Sequence, residues 1–281
     1  MYKIAILGSE NSHSWGFASL IAQNKYPELE LCGVYGDEEG NAAIRDRSGF
    51  DCFMKDYNDL VGKVDAIMVT ARHGANHLKY AKEYIETGIP VWMDKPITAS
   101  VDDAKEFVRL CSEHGNPVCG GSMLGLVQDT LDMRAAFEAC EQVSGGAVSA
   151  PVNMVNPYGN FWFYSTHLVQ ILLSVFGYDV RSVSALRSPK GVSAVYRYDR
   201  FDVTAVFGAD YSATVYTDKK VIHRAIRLDD GIEREMDEFM ELLKTGKRRQ
   251  TFTQLTKPVF VIDATIRSFE NGGKITELDV L

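Results

Sequence analysis

The chain has few cysteines, no excess of basic charge, no long apolar run and an incomplete set of glycines at its first turn. Five cysteines in 281 residues, at 32, 52, 111, 119 and 140, show neither zinc-ligand spacing nor a disulfide framework, and read as reduced thiols. Lys and Arg number 30 against 38 Asp and Glu, a formal charge of −8. That balance supplies no cationic surface for tracking phosphates, so nucleic acid is not an expected partner. No stretch approaches the roughly 20 apolar residues that span a bilayer. The apolar run after Met1 is too short for a signal peptide, and a cytoplasmic protein away from membranes is expected. The content of hydrophobic residues, 46%, is ample for a core and suits two domains.

Apolar runs bounded by glycine and proline alternate with helical periodicity in the first part of the chain. Residues 3–7, 29–35, 66–69, 91–93 and 117–121 read as strands. Helical patterns lie between them: one through Phe17, Leu20 and Ile21, one over 41–47 closed by Gly49, and one with Leu78, Ala81 and Ile85 on a face. Another begins at the capping pair Ser100 and Asp103 and ends at Gly115. Asp56 and Asp59 have the spacing to cap a further short helix before residue 66. Strand and helix in alternation imply right-handed crossovers and a parallel sheet, so residues 1–121 read as a Rossmann-like, doubly wound dinucleotide-binding domain. Beyond 121 the pattern changes. Val192, Ala194 and Tyr196 alternate with polar neighbours, the mark of a sheet with one buried face, and two helices carrying Ile232, Met236, Phe239 and then Val259, Ile262 close the chain. Residues 122–281 therefore read as an α+β substrate and oligomerisation domain with a largely antiparallel sheet.

The stretch Pro90-Val91-Trp92-Met93-Asp94-Lys95-Pro96 is the most informative. A buried strand is cut off by Pro96, which cannot donate to a sheet ladder, and so ends on two charged residues. Asp94 and Lys95 would stand at the carboxyl edge of the sheet, where open α/β folds bind ligands. The turn after the first strand, Gly8-Ser9-Glu10-Asn11-Ser12-His13, keeps only the first glycine of Gly-x-Gly-x-x-Gly. Amides at the helix amino terminus still suit an anion, and Asp37 stands near the place of an acid that bonds a ribose hydroxyl. Thr70, His73 and His77 follow the strand ending at Val69 and open on the same crevice. In the second half, Asn156, Tyr158, Trp162 and Tyr164 mix aromatic and polar groups of the kind that line polyol pockets, and His167 lies early in an apolar helix.

Lys95 before Pro96, His167, Asp65-Ala66-Ile67-Met68-Val69, Asn76-His77, Gly88-Ile89-Pro90-Val91 and the closing Ile266-Arg267-Ser268 with Gly272-Gly273-Lys274 together carry a resemblance. The chain is similar to the glucose-fructose oxidoreductase, inositol dehydrogenase and MocA family (Gfo/Idh/MocA) over nearly its whole length. Asp94-Lys95-Pro96 resembles that family's Glu-Lys-Pro. The resemblance implies a first domain that binds NAD, with NADP possible, through Gly8, Glu10, Asn11, Ser12, His13, Asp37, Thr70, His73, His77, Asp94 and Lys95. It implies a second domain carrying the substrate face, with Lys95, Asn156, Tyr158, Trp162, Tyr164 and His167 against a sugar, polyol or related hydroxy compound. Lys95 would contact nicotinamide and the reacting hydroxyl, and His167 would be the acid–base residue. The family's aspartates four before and three after this histidine are replaced by Phe163 and Gln170.

Two other classes remain open: a catalytically silent binding homologue, and a metal-dependent hydrolase or lyase using His13, His73, His77 and Asp94. No metal is assigned, because His73 and His77 need not converge and Lys95 opposes a dication. A homodimer or homotetramer joined through the second domain's sheet is expected, since a sheet with one open face is commonly covered by a second copy.

Overall fold

The computed structural model describes residues 1–281. Its first sheet has five parallel strands, β1 (Tyr2–Leu7), β2 (Leu29–Tyr35), β3 (Ala66–Val69), β4 (Val91–Asp94) and β5 (Val118–Gly121), in the order β2-β1-β3-β4-β5. β3, β4 and β5 are buried at every residue, which is why they read as continuous runs rather than alternating ones. Four helices connect them: α1 (Ser12–Ala22), α2 (Glu38–Ser48), α3 (His77–Ile85) and α4 (Val101–His114). The helix ends follow the sequence signals. Ser100 Oγ accepts from the Asp103 amide at the start of α4, and Gly49 and Gly115 adopt left-handed conformations after α2 and α4.

The chain crosses from β2 back past β1 to β3, so the strand order reverses at β1/β3, where a crevice opens beyond the carboxyl ends. A single parallel bridge, Val34 to Phe53, adds a vestigial strand outside β2. The short helix expected around Asp56 and Asp59 is not formed. Asp59 Oδ2 instead accepts from the Lys55 and Asp56 amides in a run of turns, because local side-chain-to-backbone bonds outcompete a helix too short to bury a face.

The second sheet has seven strands: β6 (Val143–Ala150), β7 (Ser182–Ser188), β8 (Gly191–Arg197), β9 (Asp202–Phe207), β10 (Ser212–Thr217), β11 (Val221–Ala225) and β12 (Thr276–Glu277). Their order is β11-β10-β6-β9-β8-β7-β12, antiparallel throughout except for β6 with β9. Val192, Ala194 and Tyr196 face inward and Ser193 outward, as the period of two requires. α5 (Gln128–Glu138) and α6 (Phe161–Phe176) pack on this sheet; α7 (Gly231–Thr245) and α8 (Phe252–Glu270) follow. No helix is long and apolar enough to cross a membrane.

The chain divides into two compact units, Met1–Gly121 with Ile232–Leu255, and Ser122–Gly231 with Thr256–Leu281. A continuous domain over 122–281 is thus corrected in one respect: α7 returns to the first unit. Its face Met236, Phe239, Met240 and Leu242 joins Ile4, Ile6, Phe17, Met68 and Trp92 in one core. A Cβ at Gly16 would meet Ile232 Cγ2 at 2.9 Å, so this glycine lets α7 lie close on α1.

In the second unit, buried Asp129 of α5 accepts from Arg224 Nη1 at 2.9 Å and from Arg227 Nε, Nη2 and backbone N at 2.9, 3.1 and 3.1 Å. Hydrogen bonds from Arg227 and then Arg224 hold its carboxyl well below the usual range against the opposing effect of burial. A depressed folded pKa stabilises above the unfolded value of about 3.9 and is lost as pH falls below it. We expect Asp129→Asn to cost about 1–3 kcal/mol at neutral pH, towards the lower end because both guanidinium groups are solvent-screened. The difference from wild type should shrink below pH about 4 in urea melts; a constant difference would count against this account.

Candidate active site

The carboxyl edge of the first sheet is assembled around the ends of β1, β3 and β4. Gly8 has φ +118°, and a Cβ there would meet the Ala71 backbone nitrogen at 2.1 Å, so only glycine fits where β1 and β3 diverge. Thr70 Oγ1 donates to Gly8 O at 2.7 Å and fixes the same junction. Asn11 caps α1 by accepting from the His13 amide, and its Nδ2 donates to Asp94 Oδ2 at 2.7 Å. The other carboxylate oxygen of Asp94 accepts from the Lys95 amide at 2.6 Å. The α1 amino terminus carries no acidic residue in its first turn, and suits a pyrophosphate by backbone and dipole.

Glu10, at the place of the second motif glycine, turns away. Its Oε1 accepts from the Arg72 amide at 3.0 Å, so its charge is spent on the loop after β3. Asp37 is exposed; its Oδ1 caps α2 through the Gly40 amide at 2.7 Å. Glu38 and Glu39 follow it in the first turn of α2, an acidic setting for any phosphate on a ribose.

Several residues expected at the cofactor site also hold its elements together. His13, Thr70, His77 and Asp94 are 4%, 0%, 0% and 0% exposed and engage neighbouring elements through hydrogen bonds or ion pairs. His77 Nε2 bonds Ala71 O at 2.7 Å, and burial pushes its pKa down, so the ring is neutral and holds the β3 loop. His73 Nδ1 accepts from the Ala75 amide and caps a single 3-10 turn at Gly74–Asn76. Ser12 is exposed at the α1 terminus and Gly8 is buried beneath it.

Lys95 is 4% exposed. Burial lowers its pKa, and the negative charge of Asp94 and Glu235 opposes that. Glu235, on α7, is the functional group that the sequence reading missed: it is 1% exposed and its Oε2 lies 3.3 Å from His13 Nδ1, which is also 3.2 Å from Asp94 Oδ1. Burial drives the Glu235 carboxyl up to about 8, partly offset by His13. The Asp94 carboxyl stays below its usual range: burial would raise it, but His13 and Lys95 outweigh that. His13 is raised: burial disfavours the imidazolium, and Asp94 with Glu235 overcomes it. A signal existed, since Glu235 sits three residues after Ile232 and four before Phe239, in the middle of an otherwise apolar face.

In the second unit, His167 of α6 is 8% exposed, and its Nδ1 lies 2.8 Å from Ser122 Oγ. Ser122 Oγ also accepts from the Leu124 amide and is thereby held in place. The missing aspartates are thus answered by a serine, which the sequence reading also overlooked. Gln170 points elsewhere, to Ser174 Oγ at 3.0 Å, and Phe163 packs on Tyr158 and Tyr164. Tyr164 and Tyr211 flank the His167 ring at 6.0 and 6.1 Å between centroids.

The other expected substrate residues do not all gather there. Asn156 spends its side chain on its own loop, donating to Asn153 O and Asn160 O and accepting from the Tyr158 amide. Trp162 lines a separate cavity of about 450 Å³ with Met154, Phe161, Phe269 and Glu270.

Residues 2–122 match the oxidoreductase family with an NAD-binding Rossmann fold, Gfo/Idh/MocA. Over these residues the chain matches the NAD-binding domain of that family. It is 25% identical over 182 residues to the uncharacterized oxidoreductase YhhX of Escherichia coli K12, a match covering 59% of this chain and half the length of that relative. Its fold is similar to that of myo-inositol 2-dehydrogenase from Lactobacillus plantarum, with TM-score 0.85, 14% identity and 99% of each chain covered. It is likewise similar to scyllo-inositol dehydrogenase from Lactobacillus casei, whose structure holds NAD(H) and scyllo-inositol, with TM-score 0.82, 13% identity and 99% of each chain covered.

The Ser122 contact generates a prediction. Long-range ¹⁵N–¹H spectra of wild-type protein should show a single proton arrangement on the His167 ring, because Nδ1 has a fixed partner, and Ser122→Ala should show a mixture. Identical spectra for the two proteins would remove Ser122 from any orienting role.

Proposed function

We propose that the protein is an NAD-dependent dehydrogenase that moves a hydride between the nicotinamide and a sugar, polyol or related hydroxy compound. The observation that carries this reading is Lys95, a lysine buried beside an anchored carboxylate at the carboxyl edge of an NAD-binding Rossmann sheet. The residues present suit the cofactor: a helix terminus free of acid at the first turn, Glu10 drawn off to the Arg72 amide, and Asp37 exposed after β2. When bound, the nicotinamide supplies the hydride acceptor or donor.

Lys95, as an ammonium, stabilises negative charge on the substrate oxygen as its proton leaves. His167 takes that proton, and Ser122 fixes the ring for the task. The inositol dehydrogenases of like fold support a polyol as substrate class. Self-association belongs to the same reading, because Leu186, Val206 and Tyr216 are 55%, 44% and 39% exposed on the outward face of the seven-stranded sheet.

Fluorescence titration should show NADH bound at least about tenfold, or about 1.4 kcal/mol, tighter than NADPH. The cause would be repulsion of a 2′-phosphate by Asp37, Glu38 and Glu39. Preference for NADPH would refute that assignment, and failure to bind either would refute the dehydrogenase. With a polyol that is turned over, Lys95→Met and His167→Asn should each lower kcat by roughly 10²-fold or more, with smaller changes in KM.

A further inference from the structure

The cluster beneath the first turn is unlike an ordinary buried ion pair. His13 Nδ1 lies 3.2 Å from Asp94 Oδ1 and 3.3 Å from Glu235 Oε2, so one ring nitrogen faces two buried carboxyl groups at once. Both oxygens of Glu235 are buried and without a hydrogen-bond partner. Beyond the ion-pair contact with His13 the Glu235 oxygens have no partner, and a buried polar group in that state calls for an ion or a water to complete it.

We propose that His13, Asp94 and Glu235 form a zinc site. The three ligand atoms lie within 4.8 Å of one another. Zinc bonds of roughly 2 Å in tetrahedral geometry separate ligand atoms by roughly 3.3 Å, which the two nitrogen-to-oxygen distances match. Imidazole with carboxylate oxygens is a donor set zinc accepts, and Glu235, with both oxygens unpartnered, can supply one or two of them. The support around the ligands is in place on one side: Asp94 is held by Asn11 Nδ2 through one oxygen and by the Lys95 amide through the other. Outer partners of this kind orient a ligating carboxylate.

The ligand set differs from the histidine group considered from sequence, because His73 and His77 are engaged with the backbone of their own loop. The ion would tie the first turn of α1 and the end of β4 to α7, the helix that returns from late in the chain. This site goes beyond the dehydrogenase reading and shares Asp94 with it. Lys95, the nearest cation, acts on the same two carboxylates, so lysine and metal compete for them.

The test uses full-length protein purified without a histidine tag, stripped with chelator and titrated with zinc against a chromophoric competitor. Wild type should bind one equivalent and gain thermal stability on loading. The near-isosteric Glu235→Gln should bind at least tenfold more weakly, His114→Ala, at an exposed histidine, should bind as wild type does, and Lys95→Met should bind more tightly. Cobalt in place of zinc should give the visible absorption of a four-coordinate site in wild type and lose it in Glu235→Gln. Equal zinc affinity of wild type and Glu235→Gln would overturn the proposal. So would a His13 ring shown by ¹⁵N shifts to remain an imidazolium at saturating zinc, since a shared proton would then hold the cluster.

Discussion

The hydrogen bond from Asn11 Nδ2 to Asp94 Oδ2 is the contact on which the first unit's edge depends. One side chain caps α1 and reaches the end of β4, so the turn that faces a pyrophosphate and the strand that presents Lys95 are set by one residue. Asp94 in turn spends its other oxygen on the Lys95 amide. An aspartate at this position is anchored twice before its charge acts on anything else, and a doubly bonded buried carboxylate is inexpensive where a bare one is not.

Loss of two motif glycines is accommodated by neighbours. Glu10 finds the Arg72 amide, and His13 is taken into a pocket of Phe17, Trp92, Asp94 and Glu235. One turn later Gly16 serves a different contact, letting α7 lie close on α1 through Ile232. Gly36 and Gly40 accept the first turn as well: a Cβ at either would strike Ser9 within 3 Å. The turn is therefore a rebuilt one, in which backbone amides remain for the anion while side chains are drawn to other partners.

Much of this was legible in the sequence where local chemistry decides. Pro96 after Asp94-Lys95 marked a strand end, Ser100, Gly49 and Gly115 marked helix ends, and period two marked β8. What escaped lies far apart in the chain. Glu235 reaches His13 across more than two hundred residues because α7 folds back on the first unit. Ser122 finds His167 only once α6 is packed. The direction a side chain takes was equally hidden: His13 and Glu10 share one turn, but one ring goes into the core and one carboxylate to a neighbouring loop.

The most direct measurement is the NADH affinity of Asn11→Ser. Serine keeps a helix cap but is too short to replace the bond to Asp94, so the variant isolates the tie from the cap. The account predicts unchanged helix content with NADH binding weakened by roughly tenfold, about 1.4 kcal/mol. Unaltered NADH affinity in a correctly folded Asn11→Ser protein would contradict it.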